Sequence, residues 1–487
     1  MSGPGRAIPP FGNRRLLNES EASNSSRTSS LEMALLANLT LEDRLEQQYA
    51  NEPADVRLSR LLSIRSVVST ASSFAQRQQQ AVGAQVDFRE IGTGSIGKVF
   101  EHPGTLYAYK LPLLENSPKL WNNYIMGLRV QDSFQSLPYF NGQVEIPRSF
   151  WFALPDTDAF WADNLHRFPD TDQFPRRPRN ILCMERIFPL PKPIREALID
   201  KYCPARIKDQ IASNEANKDC LIRPYLGRIK YGRGQQFFSL RNFQLHANQI
   251  EELSIDPNEL LDGMAHALAV LHWHTRIDAN DVEFVLGSSP EEEQRVRNIV
   301  SLQKALSLQP NSSTYEVATN SPLNFTRRQT SLWLIDFDDC NAITMDTSGV
   351  KQAVKAFLET NHYSPKPSTG NDFIDRLWHT FKASYLVFSD KLINTILKKP
   401  ELTNLPQEFI QNVEDLCAKK QSAAASSRHS QGDSSIGGSS TRRRGPSSPG
   451  PAGPRQAGSG RRSQSWRGSW DSNASDNHTA TQPRPGK

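Results

Sequence analysis

The 487-residue chain is poor in cysteine, with five (Cys183, Cys203, Cys220, Cys340 and Cys417), and no two stand at CxxC spacing. An odd, scattered set implies neither a disulfide framework nor a cysteine-based zinc site. No zinc is therefore expected. Apolar runs approaching the ~20 residues that cross a bilayer are also missing. Met1 is followed by Gly, Pro and Arg rather than the apolar stretch of a signal peptide. These absences predict an intracellular protein, cytoplasmic or nuclear, that does not engage a membrane.

Charge is lacking where a nucleic-acid-binding fold would need it. Residues 421–487 hold nine Arg and one Lys against three Asp, a balance of +7. Subtracted from the chain's +5, this leaves −2 for residues 1–420. A nearly neutral globular part argues against a basic nucleic-acid-binding domain.

Composition divides the chain. Residues 1–30 are rich in Ser, Asn, Gly and Pro and are expected to be disordered. Residues 31–85 read as a helical preface and linker, with helical patterns at Leu31–Leu36 and Leu58–Val68 and a Gln-rich spacer at Gln76–Gln85. Residues 86–190 read mainly as strands, with one helix over Lys119–Phe134. Residues 191–420 read as mainly helical, interrupted by a surface insertion at 287–328. There, Asp256-Pro257-Asn258-Glu259 is a helix start, and Leu260, Leu261, Met264, Leu268 and Leu271 follow at helical spacing. The Ser/Arg/Gly/Pro-rich tail from 421 cannot bury a core and is expected to be disordered.

Gly92-Thr93-Gly94-Ser95-Ile96-Gly97 is a GxGxxG string, which two nucleotide-binding chemistries share. The dinucleotide version needs a helix directly after the loop. Here Lys98-Val99-Phe100-Glu101, a His102-Pro103-Gly104 turn and Leu106–Lys110 follow, which is a β-hairpin. A glycine loop between strands, followed by a valine and a strand lysine, instead suits a cover over ATP phosphates. The plain alternative is a glycine-rich turn with a surface lysine.

Further pieces follow in order. Met184-Glu185-Arg186-Ile187 ends an apolar strand, as an ordinary strand end or a hinge for an adenine. Asp278 and Glu283 precede the apolar run Phe284-Val285-Leu286. Leu334-Ile335-Asp336-Phe337-Asp338-Asp339 sets a carboxylate at the end of an apolar strand, where burial is costly without a bond or a cation.

Taken together, residues 86–395 resemble the protein-kinase-like fold, closer to its small-molecule branch, similar to the aminoglycoside phosphotransferases, since no Ala-Pro-Glu segment follows Phe337. The resemblance implies an α+β, two-lobe molecule with an N-terminal antiparallel sheet lobe and a mainly helical C-terminal lobe. It implies ATP and Mg²⁺ as ligands. Gly92, Gly94, Gly97, Val99, Lys110 and Glu185 would hold the nucleotide, Asp336 and Glu283 the metal, and Asp278 would serve as the catalytic aspartate. Asp278–Leu286, Leu334–Asp346 and Asn361–Pro367 also resemble an uncharacterised fungal family whose domain of unknown function carries the label "zinc finger protein".

The sequence departs from the kinase pattern at several points. Glu283 stands where an Asn is expected, Asp338 replaces the glycine of the Asp-Phe-Gly element, and Arg276 and Ile277 replace His and Arg. The Lys119–Phe134 helix carries no glutamate to pair with Lys110; Asn122 and Asn123 occupy its place, and Glu115 lies just before it. These differences imply a divergent phosphotransferase or a pseudokinase. The alternative is a non-catalytic interaction or regulatory module that recruits protein partners through its tails. Nucleic-acid contact is expected, if anywhere, through Arg442–Arg444, Arg461-Arg462, Trp466 and Trp470 of the basic tail.

Overall fold

The computed structural model describes residues 52–63, 67–69, 73–115, 117–137, 144–230, 238–290, 302–313 and 327–432. The helical pattern at Leu31–Leu36, the expected disorder of 1–30 and of the tail beyond 432, and most of the 287–328 insertion lie outside these residues.

In chain order the elements begin with α1 (Ala54–Leu61), β1 (Val67–Ser69), α2 (Ser73–Gln80), β2 (Arg89–Thr93), β3 (Gly97–Glu101) and β4 (Tyr107–Pro112). Next come α3 (Pro118–Gln135), β5 (Ser149–Ala153), α4 (Asp158–Asn164) and β6 (Ile181–Glu185). They are followed by α5 (Lys192–Tyr202), α6 (Lys208–Ser213), β7 (Ile222–Tyr225), β8 (Phe243–His246), α7 (Ala247–Glu252) and α8 (Asn258–Ala269). The last are β9 (Glu283–Pro290), α9 (Leu302–Leu306), β10 (Arg327–Ile335), α10 (Thr347–Glu359), α11 (Asp372–Asp390) and α12 (Leu405–Gly432). The molecule is α+β.

The first sheet has the order β2-β3-β4-β6-β5 and is antiparallel throughout. The β3–β4 hairpin forms where the His-Pro-Gly turn marks it, with Gly104 at φ +78. A side chain there would meet the Ala81 backbone at 2.6 Å, so only glycine serves at this turn. One face of this sheet buries an aromatic cluster that includes Phe88, Phe100, Tyr109, Phe160 and Phe168.

A second five-stranded sheet has the order β1-β10-β9-β7-β8, its β7–β8 pair parallel, and accompanies the helices of the second half. Its centre is the long hairpin β9–β10, paired from Glu283↔Ile335 to Pro290↔Arg328. The apolar runs in both strands were legible as strands. Their partners were not: β7 carries a proline, and β1 arrives from the region read as a helical preface. Helical periodicity at Leu58 ends with α1 at Leu61, and Val67–Ser69 instead adds to the edge of β10. The insertion begins only after Pro290 and ends before Arg327, because both strands extend further than their apolar cores.

Two other boundaries shift. The Gln-rich spacer contains α2, and α12 continues through Ala423-Ala424-Ala425 into the region expected to be disordered, as befits good helix formers. Within the region read mainly as strands, Glu145 makes only a parallel bridge to Trp333.

Helix α8 is buried along the stripe Leu260, Leu261, Met264 and Leu268 and packs against α11. It passes into a π-helical turn, Val270–Thr275, which closes with Arg276 at φ +59. His272 in this turn is fully buried, with Nδ1 2.9 Å from the Tyr385 hydroxyl. Burial pushes its imidazole down to about 3, so it is neutral in the fold. The unfolded chain binds a proton near pH 6.5 that the folded chain refuses. His272 therefore contributes stability in full above pH ~6.5 and progressively less as pH falls toward ~3. Thermal melts across this range are expected to show a steep acid-side loss that is shallower in His272→Gln.

Candidate functional site

The glycine string runs from the end of β2 to the start of β3, and there it borders a cavity of about 190 Å³. The cavity is lined by Gly92–Gly97, Val99, Ala108 and Lys110, and by Leu182 and Met184–Ile187. Asp219, Leu221, Arg223, Asn242, Glu283 and Ile335–Phe337 also line it. It therefore lies between the first sheet and the end of the β9–β10 hairpin.

Lys110 sits in β4 with its backbone paired to Leu182 and is 7% exposed. Its ammonium donates to Asp336 Oδ1 at 2.8 Å, Asn123 Oδ1 at 3.0 Å and Asp338 Oδ2 at 3.3 Å. Three donors thus meet three acceptors. Burial acts to lower its pKa, but Asp336 and Asp338 outweigh burial and hold the ammonium above its usual range.

Asp336 lies immediately after β10, at φ +65. A non-glycine residue in the left-handed region is uncommon, and such residues gather at functional sites. This turn swings the carboxylate off the strand end toward Lys110. Burial acts upward on Asp336, yet the Lys110 ammonium prevails and keeps its carboxyl below the usual range. The neighbouring Asp338 is pushed the other way, to about 7, by its own burial and by the Asp336 charge.

Helix α3 supports this cluster through one face. Lys119 bonds Asp339 at 2.7 Å, and Asn122 Nδ2 donates to the carbonyls of Asp338 and Cys340. Asn123 takes Lys110. Residues spaced three and four apart share a helix face, so Lys119 and Asn122 address the segment after Asp336 while Asn123, beside them, addresses Lys110. Phe337 packs beneath the same face at Gly127, where a side chain would lie 2.8 Å from Ser149 Oγ. On another side of α3, the insertion helix α9 inserts Ala305 among Leu120, Tyr124 and Leu128.

The structure brings Gly92, Gly94, Gly97, Val99, Lys110, Glu185, Glu283 and Asp336 to one cavity. Asp278 lies outside it. Its carboxylate is 4% exposed and accepts four hydrogen bonds, from the Asn280 and Asn341 backbone amides and the Asn341 and Gln352 side chains. In this arrangement Asp278 clasps the 278–281 loop to the Asn341 segment. The same loop carries Asp281, whose carboxyl is raised by partial burial and by the charges of Asp336 and Asp339.

Glu283 faces the cavity, but Arg223 holds both its oxygens, at 2.7 and 2.6 Å. Burial nevertheless pushes its carboxyl up to about 7. Among the described residues no group of three His, Cys, Asp or Glu is arranged to hold a metal ion. A cation here would rely on Asp336 and on oxygens brought by its ligand. Glu185 is buried, with its side chain accepting from the Arg148 backbone amide at 3.2 Å.

Sequence reading missed the acids and bases that join the cavity walls. Arg89 Nε bonds Glu101 at 2.7 Å, and its two Nη atoms hold Asp219 at 2.6 Å each. Arg186 Nη2 adds a bond to Asp219 at 3.3 Å. Asp219 and Arg223 had no local motif to reveal them. Asn123 and Asp338 were visible as departures from a pattern, but their joint hold on Lys110 was not.

The three glycines differ in what they permit. A methyl at Gly97 would meet the Leu111 carbonyl oxygen at 2.4 Å, because β3 and β4 approach closely there. Methyls at Gly92 and Gly94 meet nothing nearer than 3.8 and 3.9 Å. Gly97→Ala is therefore expected to cost about 1–3 kcal/mol of stability. Gly92→Ala and Gly94→Ala should stay within about 0.5 kcal/mol of the unsubstituted protein. Thermal denaturation of the three variants checks this ordering, and equal losses at all three positions would contradict it.

Residues 332–396, which include Asp336, the Lys110-binding Asp338 and the α10–α11 region, match the family model DUF3669, described as "Zinc finger protein". That segment holds a single cysteine, Cys340, which is fully buried. No curated protein and no solved structure matches the chain.

Proposed function

We propose that the cavity binds a nucleoside triphosphate with Mg²⁺ and that the two halves form a protein-kinase-like, two-lobe unit. The observation that carries this reading is the meeting of Lys110 and Asp336, 226 residues apart, beneath a glycine loop. A lysine facing phosphates and an aspartate holding their metal must share one cleft, and a hard cation prefers carboxylate oxygens. The left-handed backbone at Asp336 and the raised carboxyls of Asp338 and Glu283 support a site under functional constraint. Apolar walls from Val99, Ala108, Leu182, Leu221 and Ile335 suit a base, and the Met184–Ile187 segment edges them.

Two observations favour a second reading, a pseudokinase that binds nucleotide without transferring its phosphoryl group. The Asp278 carboxylate is saturated by protein donors, and Arg223 holds both Glu283 oxygens. Phosphotransfer would require one of them to be released, or Asp281 to orient the acceptor hydroxyl.

Binding to the folded state alone raises the unfolding midpoint, by about 2.7 kcal/mol of stability at 100-fold excess over Kd. ATP with Mg²⁺ is expected to raise the melting midpoint of the unsubstituted protein. The shift should be much smaller in Lys110→Met and Asp336→Asn. No shift in the unsubstituted protein would remove the nucleotide reading. A shift without ATP turnover would select the pseudokinase.

A further inference from the structure

Lys110 has two acidic neighbours where one would neutralise it. Asp336 Oδ1 and Asp338 Oδ2 both accept from its ammonium, at 2.8 and 3.3 Å, and both approach from the segment after β10. Helix α3 supplies only the neutral amide of Asn123. Glu115, the nearest glutamate before that helix, is committed to Arg177 at 2.7 Å. A cation bound at Asp336 would compete with the ammonium for the same carboxylate. Buried at 7% exposure, an ammonium left with Asn123 alone would lack a counter-charge.

We propose that Asp338 is the positioning residue that holds Lys110 when Asp336 is given over to a cation, replacing the carboxylate that α3 lacks. The inference rests on the nucleotide–Mg²⁺ reading of this cleft. Asp338 is itself 6% exposed, and its backbone carbonyl is fixed by Asn122 at 2.8 Å, so α3 sets the position of the acid it does not carry. Asp338 Oδ2 already stands 3.3 Å from the ammonium, so this acid is in place when a cation takes Asp336.

The experiment compares Mg²⁺·ATP affinity in the unsubstituted protein, Asp338→Asn, and the double variant Asp338→Asn with Asn123→Glu, which moves the acid onto the helix. Loss of one charge-assisted hydrogen bond predicts affinity weakened about tenfold or more in Asp338→Asn. The double variant is expected to return to within about threefold of the unsubstituted protein. A merely structural role would not be rescued by a carboxylate on another element. Unchanged affinity in Asp338→Asn, or no recovery in the double variant, would overturn the proposal. Asp338→Gly replaces the amide variant if melting shows that the latter is not folded.

A second measurement needs no nucleotide and separates this inference from the binding reading. The rate at which an amine-reactive reagent acylates Lys110, followed by mass spectrometry, is expected to rise in Asp338→Asn and to fall again in the double variant. Equal rates in all three proteins would overturn the pairing even if ATP binds. Changed rates without ATP binding would leave the pairing standing and reject the nucleotide reading.

Discussion

A buried ammonium is the constraint around which the molecule is arranged. Moving such a charge out of water costs several kcal/mol unless partners repay it. Lys110 receives one neutral and two acidic acceptors, drawn from α3 and from the segment that leaves β10. Those partners can meet it only if the first sheet, α3 and the β9–β10 hairpin hold fixed relations. The register Glu283↔Ile335 ends the hairpin one residue before Asp336, and the left-handed turn there redirects the carboxylate. Helix α3 is then held by Lys119 and Asn122 to the segment it supports and by Asn123 to Lys110. Lys110, Asn123 and Asp336 of this set also line the cavity.

A second ionic cluster closes the opposite end. Glu101 is 1% exposed and Asp219 is 5% exposed, and Arg89 and Arg186 share them. Glu101 ends β3, Arg89 starts β2, Arg186 follows β6, and Asp219 precedes β7. The cluster therefore fastens three strands of the first sheet to the approach of the second. Between the two clusters the walls are largely apolar. Charge in the lining is held in pairs, as Arg223 holds Glu283.

What could be read from the sequence was local. The hairpin after Gly97 followed from a turn and alternation, and it removed the dinucleotide alternative. The strands around Val285 and Leu334 followed from apolar runs, and α8 from its leucine stripe. What could not be read was non-local. Nothing near Val67 says that it pairs with Gln329, and nothing near Asp219 says that two arginines await it. Asp278 illustrates the limit in the other direction. Its spacing from Glu283 matched a pattern, but its environment depends on Asn341 and Gln352, more than sixty residues away. The glycines, too, split by environment. Gly97 answers to a neighbouring strand, whereas Gly92 and Gly94 have open space beside them.

The same non-locality sets a timetable for synthesis. The first sheet needs only residues 89–185, so it can close early as the chain leaves the ribosome. Asp336 follows about 150 residues later, a delay of roughly 10–30 s at ordinary elongation rates. Through that interval Lys110 has no acidic partner from the β10 end, and the face of α3 that receives Phe337 is uncovered. β1 waits as long, since its only strand partner among the described residues is β10. A nascent chain in that condition displays apolar surface and an unpaired strand, the features that attract chaperones and promote aggregation. The cleft thus cannot close until β10 and Asp336 have been made, long after the first sheet.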